Sequence, residues 1–309
     1  MSPDLLDRFR GCLLGQAVGD GVGAPYEGWT SENIFWGFGE VGTLIEKWTE
    51  KLTYTDDTQM MIGVAEALIE KERIEESTLC SAFVQNYDPE RCYGQGARLV
   101  LEAMRDGEDW QTLRRTHLPG GSLGNGAAMR AAPIGLLFHA DLDRVMEQAK
   151  LSALPTHVHP LGIEGAQIFA LAVALVVRGE ELDRRDFFKT LHRHASSEEF
   201  RWAIQAASRL KRGDTVSFLG NSLEAHRSVV TAIACFALSP KSYVGAIERA
   251  VGLGNDTDTL AAMAGALSGA YLGVEGIPSH LLNLLEDEEK GRSYLAGLAE
   301  KLSSMVKRD

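Results

Sequence analysis

Two short segments of this 309-residue chain concentrate residues able to do chemistry. Thr55-Asp56-Asp57-Thr58 stands immediately before an apolar-periodic stretch carrying Met61 and Val64, and Asn255-Asp256-Thr257-Asp258-Thr259 stands before another that runs from Leu260 to Leu272. Each offers two carboxylates interleaved with threonine hydroxyls. An all-oxygen donor set of this kind suits hard cations such as Mg2+ or Mn2+, not Zn2+. A simpler use exists for either segment alone, because Thr and Asp are favoured helix N-caps and negative charge is welcome at the positive end of a helix dipole. One cap needs one or two such side chains, and these segments offer more. Four carboxylates brought together repel one another unless cations sit between them. Two closely spaced metals are a natural solution.

Three further segments carry candidates. Asp20 lies in Gly19-Asp20-Gly21-Val22-Gly23, followed by Pro25-Tyr26-Glu27-Gly28. In Ser122-Leu123-Gly124-Asn125-Gly126-Ala127-Ala128-Met129-Arg130, the glycines leave backbone N–H groups free to approach a phosphate, and a helix start adds positive potential. Ordinary turns use the same residues, and the spacing is not that of a Walker A loop. Thr156-His157-Val158-His159-Pro160 offers two histidines at i, i+2 with no Cys or Glu beside them, which disfavours zinc. A lone histidine is more often a satisfied structural residue than a ligand.

The elements that must hold these residues read as helices. Leu5, Phe9, Leu13 and Ala17 share one face of a stretch from Leu5 to Val18, while Gly11, Gly15 and Gly19 share another and imply a close backbone approach. Ala261, Gly265 and Gly269 repeat that spacing after the second acidic segment. Asp57–Glu70 places Met61, Val64, Ala65 and Leu68 on one face. Further helices are predicted near 76–86, 95–105, 127–138, 143–153, 160–178, 184–194, 198–211, 224–237, 242–252, 256–272 and 288–306. Strand alternation is scarce, and no linker, repeat or low-complexity tract divides the chain. The expectation is an all-α, compact, many-helix single domain over 1–309 with a central dinuclear metal site. Residues 21–53, carrying Trp29, Phe35, Trp36, Phe38 and Trp48, read as a loop-rich flap.

The formal net charge of −12 opposes binding of a nucleic acid duplex, which runs on basic patches and counterion release. It also means that an anionic substrate needs local compensation from a metal, backbone N–H groups or an Arg. Cys12, Cys80, Cys92 and Cys235 are scattered without a C-x-x-C pair. The N-terminus has no signal-peptide pattern, and the longest apolar run, Ile168–Val177, is short for a bilayer. These features read as a soluble, cytoplasmic protein without a membrane partner.

In this order the segments resemble the ADP-ribosylglycohydrolase family, from Gly11-Cys12-Leu13-Leu14-Gly15 to Gly265-Ala266-Leu267-Ser268-Gly269-Ala270-Tyr271. Tyr54-Thr55-Asp56-Asp57-Thr58-Gln59-Met60 and Gly254-Asn255-Asp256-Thr257-Asp258-Thr259 are its most specific elements. The resemblance implies two Mg2+ or Mn2+ ions held by Thr55, Asp56, Asp57, Asp256, Asp258 and Thr259. It puts Glu27 on a flap near the metals and Ser122, Gly124, Asn125 and Gly126 along the diphosphate and ribose. Gly94 and Gly96, in Tyr93-Gly94-Gln95-Gly96, match a family turn near substrate, and His157 matches a histidine at the far ribose or phosphate. Asp20 joins the expected substrate-binding set. Asn255 departs from the pattern, since many relatives carry Gly there.

The implied reaction is hydrolysis of the glycosidic bond between ADP-ribose and an acceptor, through an oxocarbenium-like transition state. Glu27 is the first candidate for proton transfer, with Asp56 or Asp258 next. The expected substrate is an ADP-ribosylated protein or small ADP-ribose conjugate, with nucleic acid entering only as an ADP-ribosylated end. Rival readings are a non-catalytic ADP-ribose-binding protein, against which every acidic ligand position is filled, and a two-metal phosphohydrolase.

Overall fold

Asp4 opens the first helix by accepting a hydrogen bond from the Asp7 N–H at 2.8 Å, and the helix then runs from Leu5 to Gly23. In a computed structural model that describes residues 3–109, 112, 120–179 and 181–306, this helix, α1, is followed by α2 (Ser31–Phe38), α3 (Val41–Glu46) and α4 (Asp56–Lys71). Next come α5 (Glu76–Asn86), α6 (Gln95–Arg105), α7 (Ala132–Leu137), α8 (Leu142–Ala153), α9 (Pro160–Arg178), α10 (Arg184–His194) and α11 (Glu198–Arg209). The chain closes with α12 (Ala225–Leu238), α13 (Tyr243–Val251), α14 (Thr257–Leu272), α15 (Ser279–Leu284) and α16 (Arg292–Met305). Among the described residues there is no strand, only isolated bridges joining Thr30 to Gly254, Leu52 to Leu285 and Gly124 to Glu224. The all-α expectation holds.

The central packing is α1 on α14, and glycine makes it. A Cβ on Gly11 would stand 2.2 Å from the Gly269 carbonyl oxygen, one on Gly19 2.2 Å from that of Ala261, and one on Gly23 2.4 Å from that of Thr257. The two helices therefore run antiparallel with backbones in contact. The C-terminal turn of α1 meets the N-terminus of α14, and Asp20 is brought to the second acidic segment. Around this pair, buried apolar side chains form one continuous cluster. By length and composition α9 could cross a bilayer, although the run Ile168–Val177 alone reads as too short. In this fold α9 is a core helix packed on α7, α8, α12 and α14.

Two predicted elements shift. The helix expected over 127–138 begins at Ala132, with Pro133 in its first turn. Residues 126–130 form a turn instead, in which the Ala128 and Met129 N–H groups both donate to the Asn125 carbonyl at 2.7 and 3.1 Å. Within 21–53, α1 continues to Gly23, and the short helices α2 and α3 follow, burying Ile34, Val41 and Ile45. Trp29, Phe35, Phe38 and above all Trp36, 83 % exposed, face solvent.

Candidate active site

The two acidic segments are the N-termini of α4 and α14, and Asp20 on α1 anchors the first of them from behind. That carboxylate accepts from the Thr55 N–H at 3.0 and 3.1 Å, the Thr55 hydroxyl at 2.9 Å, the Thr58 N–H at 3.0 Å and the Thr58 hydroxyl at 2.6 Å. Asp20, expected in the substrate-binding set, is fully buried with both its oxygens engaged and forms a strut from α1 to the start of α4. On the other side of the same segment, the Asp56 N–H donates to the Arg91 carbonyl at 2.7 Å.

Asp57 reaches across to α14. Its Oδ2 accepts from the Thr259 hydroxyl at 3.3 Å and lies 3.4 Å from the Thr55 hydroxyl oxygen, while its Oδ1 is buried without a hydrogen-bond partner among the described residues. Asp256 Oδ2 accepts from the Asn125 amide, and Asp258 Oδ1 accepts from the Thr259 N–H at 2.8 Å. Burial raises the pKa of every carboxyl in the cluster. For Asp57 the charges of Asp258 and Asp20 add to that burial, and for Asp258 those of Asp256 and Glu27 do so. Asp56 is raised well above its ordinary value by burial, then by Asp20 and Glu27. Asp20 and Asp256 are each pushed up to about 6 by burial, opposed by the hydrogen bonds they accept.

Among the described residues no three His, Cys, Asp or Glu side chains close into one ready coordination shell. What converges is carboxylate and threonine oxygen, with an orphaned buried oxygen on Asp57 among like charges. Thr55, Asp56, Asp57, Asp256, Asp258 and Thr259 could thus hold divalent cations, whose charge would answer both the repulsion and the missing donor.

The loop Ser122–Gly126 lies against this cluster through Asn125, whose amide also donates to the Ser228 hydroxyl at 3.0 Å. Its course is fixed by a neighbouring segment that sequence reasoning missed. The Asn125 N–H donates to the Leu223 carbonyl at 2.8 Å and the Ala225 N–H to that of Leu123 at 2.9 Å. From the same segment the Asn221 amide donates to the Leu253 and Gly254 carbonyls at 2.8 and 3.0 Å. One stretch, 221–225, therefore joins the glycine loop to the second acidic turn, and nothing in its composition marks it as more than a turn. Beneath the loop lies His157, buried, with its pKa lowered to about 3 by burial and then by the nearby Arg130.

The flap meets the acidic turn through backbone. Gly28 N–H donates to the Asn255 carbonyl at 2.8 Å, and Asn255 N–H to the Trp29 carbonyl at 2.7 Å. Asn255 adopts φ +59°, a left-handed conformation that Asn tolerates, so the turn forms without glycine at that position. Glu27 is exposed at the rim, its pKa raised by partial burial, and its charge acts on Asp56, Asp256 and Asp258. Gly94, exposed, and Gly96, half-buried, open α6. Cys92, just before them, does feel the charges of Glu27, Asp56 and Asp258, which puts this turn on the rim.

A family model described as ADP-ribosylglycohydrolase matches residues 1–309. The chain is similar to ADP-ribosylhydrolase ARH3 of Homo sapiens and of Bos taurus, 36% identical to each over 88% of this chain and 87% of the relative. A solved ADP-ribosylglycohydrolase-related protein complex shares the fold, with a TM-score of 0.75 at 23% identity over 98% of this chain and 99% of that one. Matched along its whole length, the chain belongs to the ADP-ribosylglycohydrolase family of hydrolases.

Proposed function

We propose that this protein is a divalent-metal-dependent hydrolase that cleaves the glycosidic bond between ADP-ribose and an acceptor side chain or small conjugate. The observation that carries the reading is Asp57, a fully buried carboxylate with one oxygen lacking any donor among the described residues, set among Asp258, Asp20, Asp56 and Asp256. Thr55, Asp56, Asp57, Asp256, Asp258 and Thr259 would hold two Mg2+ or Mn2+ ions. Such ions, when bound, orient ribose hydroxyls and lower the pKa of water.

The chain's own groups divide the remaining work. The loop Ser122–Gly126 would offer backbone N–H groups to the diphosphate and its ribose, while the Asn125 amide ties the loop to Asp256 and Ser228 and His157 supports it from below. Water replaces the acceptor at the anomeric carbon, so one proton must leave the water and one must reach the departing oxygen or nitrogen. Glu27 is the group assigned to that proton transfer in this reading. It stands at the solvent side of the cluster, and burial keeps its carboxyl above the ordinary range, toward the pH at which a proton donor works best. Asp56 and Asp258 lie inside the cluster, where ligation would engage them.

The test is release of ADP-ribose from arginine- and serine-ADP-ribosylated proteins with Mg2+, with Mn2+ and with EDTA, beside an Asp56→Ala, Asp57→Ala double variant. Metal-dependent release that the variant loses is the expected result and identifies the linkage. Release unaffected by EDTA would remove the metal from the proposal. Free phosphate in place of ADP-ribose would make the site a phosphohydrolase.

A further inference from the structure

Arg130 is buried to 1 % exposure without a carboxylate in ion-pair reach among the described residues. Removing an unpaired charge from water is costly and calls for a return. The guanidinium donates to the Ser152 carbonyl at 2.8 Å and to the Thr156 hydroxyl oxygen at 2.9 Å, and lies 4.7 Å from the centre of the Phe83 ring. Among the described residues, Thr156 Oγ1 has one other hydrogen-bond partner, His157 Nδ1, at 2.7 Å.

These contacts choose a tautomer. A guanidinium only donates, so Thr156 Oγ1 accepts from Arg130 and keeps its own proton to give away. His157 Nδ1 is the acceptor within reach, so the imidazole carries its proton on Nε2. The opposite tautomer would send the Nδ1 proton to Oγ1 and leave a buried hydroxyl proton with no acceptor among the described residues, at a real cost. Nε2 has no hydrogen-bond partner among the described residues. It lies 3.8 Å from where a Cβ on Gly124 would stand and 3.6 Å from where one on Gly126 would stand, so the bare backbone of both glycines leaves it room.

We propose that Arg130 and Thr156 are positioning residues that lock His157 in the Nε2–H tautomer, so that it donates a hydrogen bond to an anionic phosphate oxygen held by the Gly124–Gly126 loop. This rests on the reading of that loop as the diphosphate site. The arrangement gives the acidic protein a donor that stays neutral through the physiological range, because burial and the adjacent Arg130 charge both oppose the imidazolium. The positive charge of Arg130 remains behind the ring and favours the same anion from a distance.

The test uses the full-length 15N-labelled protein and long-range 1H–15N correlation of the histidine ring, with His157 assigned by its loss in His157→Gln. The wild type is expected to show a protonated Nε2 and an accepting, unprotonated Nδ1 at pH 7. Thr156→Val should mix the tautomers and weaken ADP-ribose binding, read by calorimetry, about tenfold, the scale of one hydrogen bond to a charged group. Thr156→Ser should restore both readouts, which a purely structural role for the methyl-bearing side chain would not do. Arg130→Lys, which keeps a charge but loses the planar fork, should fall between them. A wild-type ring protonated on Nδ1, or Thr156→Val with an unchanged ring pattern, overturns the relay. Failure of the wild type to bind ADP-ribose overturns the function proposed for the loop and the donor role with it, whereas the ring nitrogens decide the tautomer separately.

Discussion

Gly15 and Gly265 each occupy the space that a side chain on the other would need. A Cβ on Gly15 would stand 2.5 Å from the Gly265 carbonyl oxygen, and a Cβ on Gly265 2.2 Å from that of Gly15 and 3.1 Å from the Tyr243 hydroxyl. That hydroxyl donates to the same Gly15 carbonyl at 2.6 Å, so the contact also satisfies a buried polar group. Backbone cannot move aside as a flexible side chain does. Gly265→Ala is therefore expected to cost about 3 kcal/mol, the upper end of overpacking penalties, measured as a fall in the urea midpoint. It should also weaken Mg2+ binding, because α1 and α14 carry Asp20 and Asp258 on the same two backbones. An unchanged midpoint would mean that the helices can part without loss.

The acid cluster should make the metal-free protein oppose its own fold at neutral pH. Folded-state pKa values here lie above the unfolded value of 3.8, at about 6 for Asp20 and Asp256. A group raised in this way lends stability below its unfolded pKa and loses it as pH climbs through the folded one. In EDTA, Asp57→Asn should thus melt above the wild type at pH 7, by about 3 °C for about 1 kcal/mol of relieved repulsion. The gap should close toward pH 4. Mg2+ should reverse the order, since the wild type gains binding energy that the variant lacks. Matching melting curves for both proteins in EDTA at pH 7 would show that the carboxylates do not strain the fold.

Which parts of this arrangement were open to a reader of the sequence follows from distance along the chain. The acidic segments and the glycine stripes are local patterns with a helical period, so their meaning survives without the fold. The role of Asp20 was not legible, because the helix runs on through Gly19, Gly21 and Gly23, and Gly19 and Gly23 serve its contact with α14. Likewise Ser31–Phe38 is a helix hidden by flanking turn residues, although Thr30 caps it by accepting from the Asn33 N–H at 3.1 Å. Asn221, Arg91 and Glu286 were unreadable for a different reason: each acts on backbone far away in sequence, and a polar residue in a loop carries no mark of its partner.

Arg91 and Glu286 meet across 195 residues and grip the peptide just before the first acidic segment. Glu286 accepts from the Tyr54 N–H at 3.1 Å, Arg91 donates to the Tyr54 carbonyl at 2.8 Å, and the two side chains pair with each other. The guanidinium also covers the Tyr54 ring at 4.2 Å. Breaking a mostly buried pair from one side strands the other charge, so Glu286→Ala should cost about 3 kcal/mol, whereas the double change with Arg91→Ala should cost less than the sum of the singles. A thermal double-mutant cycle reads the coupling. Additive losses would show that the pair contributes only separate contacts.

Glu27 separates proton transfer from binding. It sits one residue before Gly28, whose N–H is fixed to the Asn255 carbonyl, so its backbone is tied to the acidic turn while its side chain is exposed. No hydrogen bond within the fold depends on its carboxyl among the described residues, so Glu27→Gln should leave the melting temperature and the calorimetric affinity for ADP-ribose close to wild type. Loss of a general acid or base typically removes about 100-fold to 10,000-fold of rate, and kcat should fall by that range with KM little changed. The acidic or basic limb of the wild-type pH–rate profile that belongs to Glu27 should vanish with it. A variant that retains wild-type kcat would pass the proton to Asp56 or Asp258, and the same kinetics on Asp258→Asn would then show which. A variant that loses affinity while kcat stays at the wild-type value would instead make Glu27 part of the binding surface, because an interaction equal in ground and transition states changes KM and not kcat.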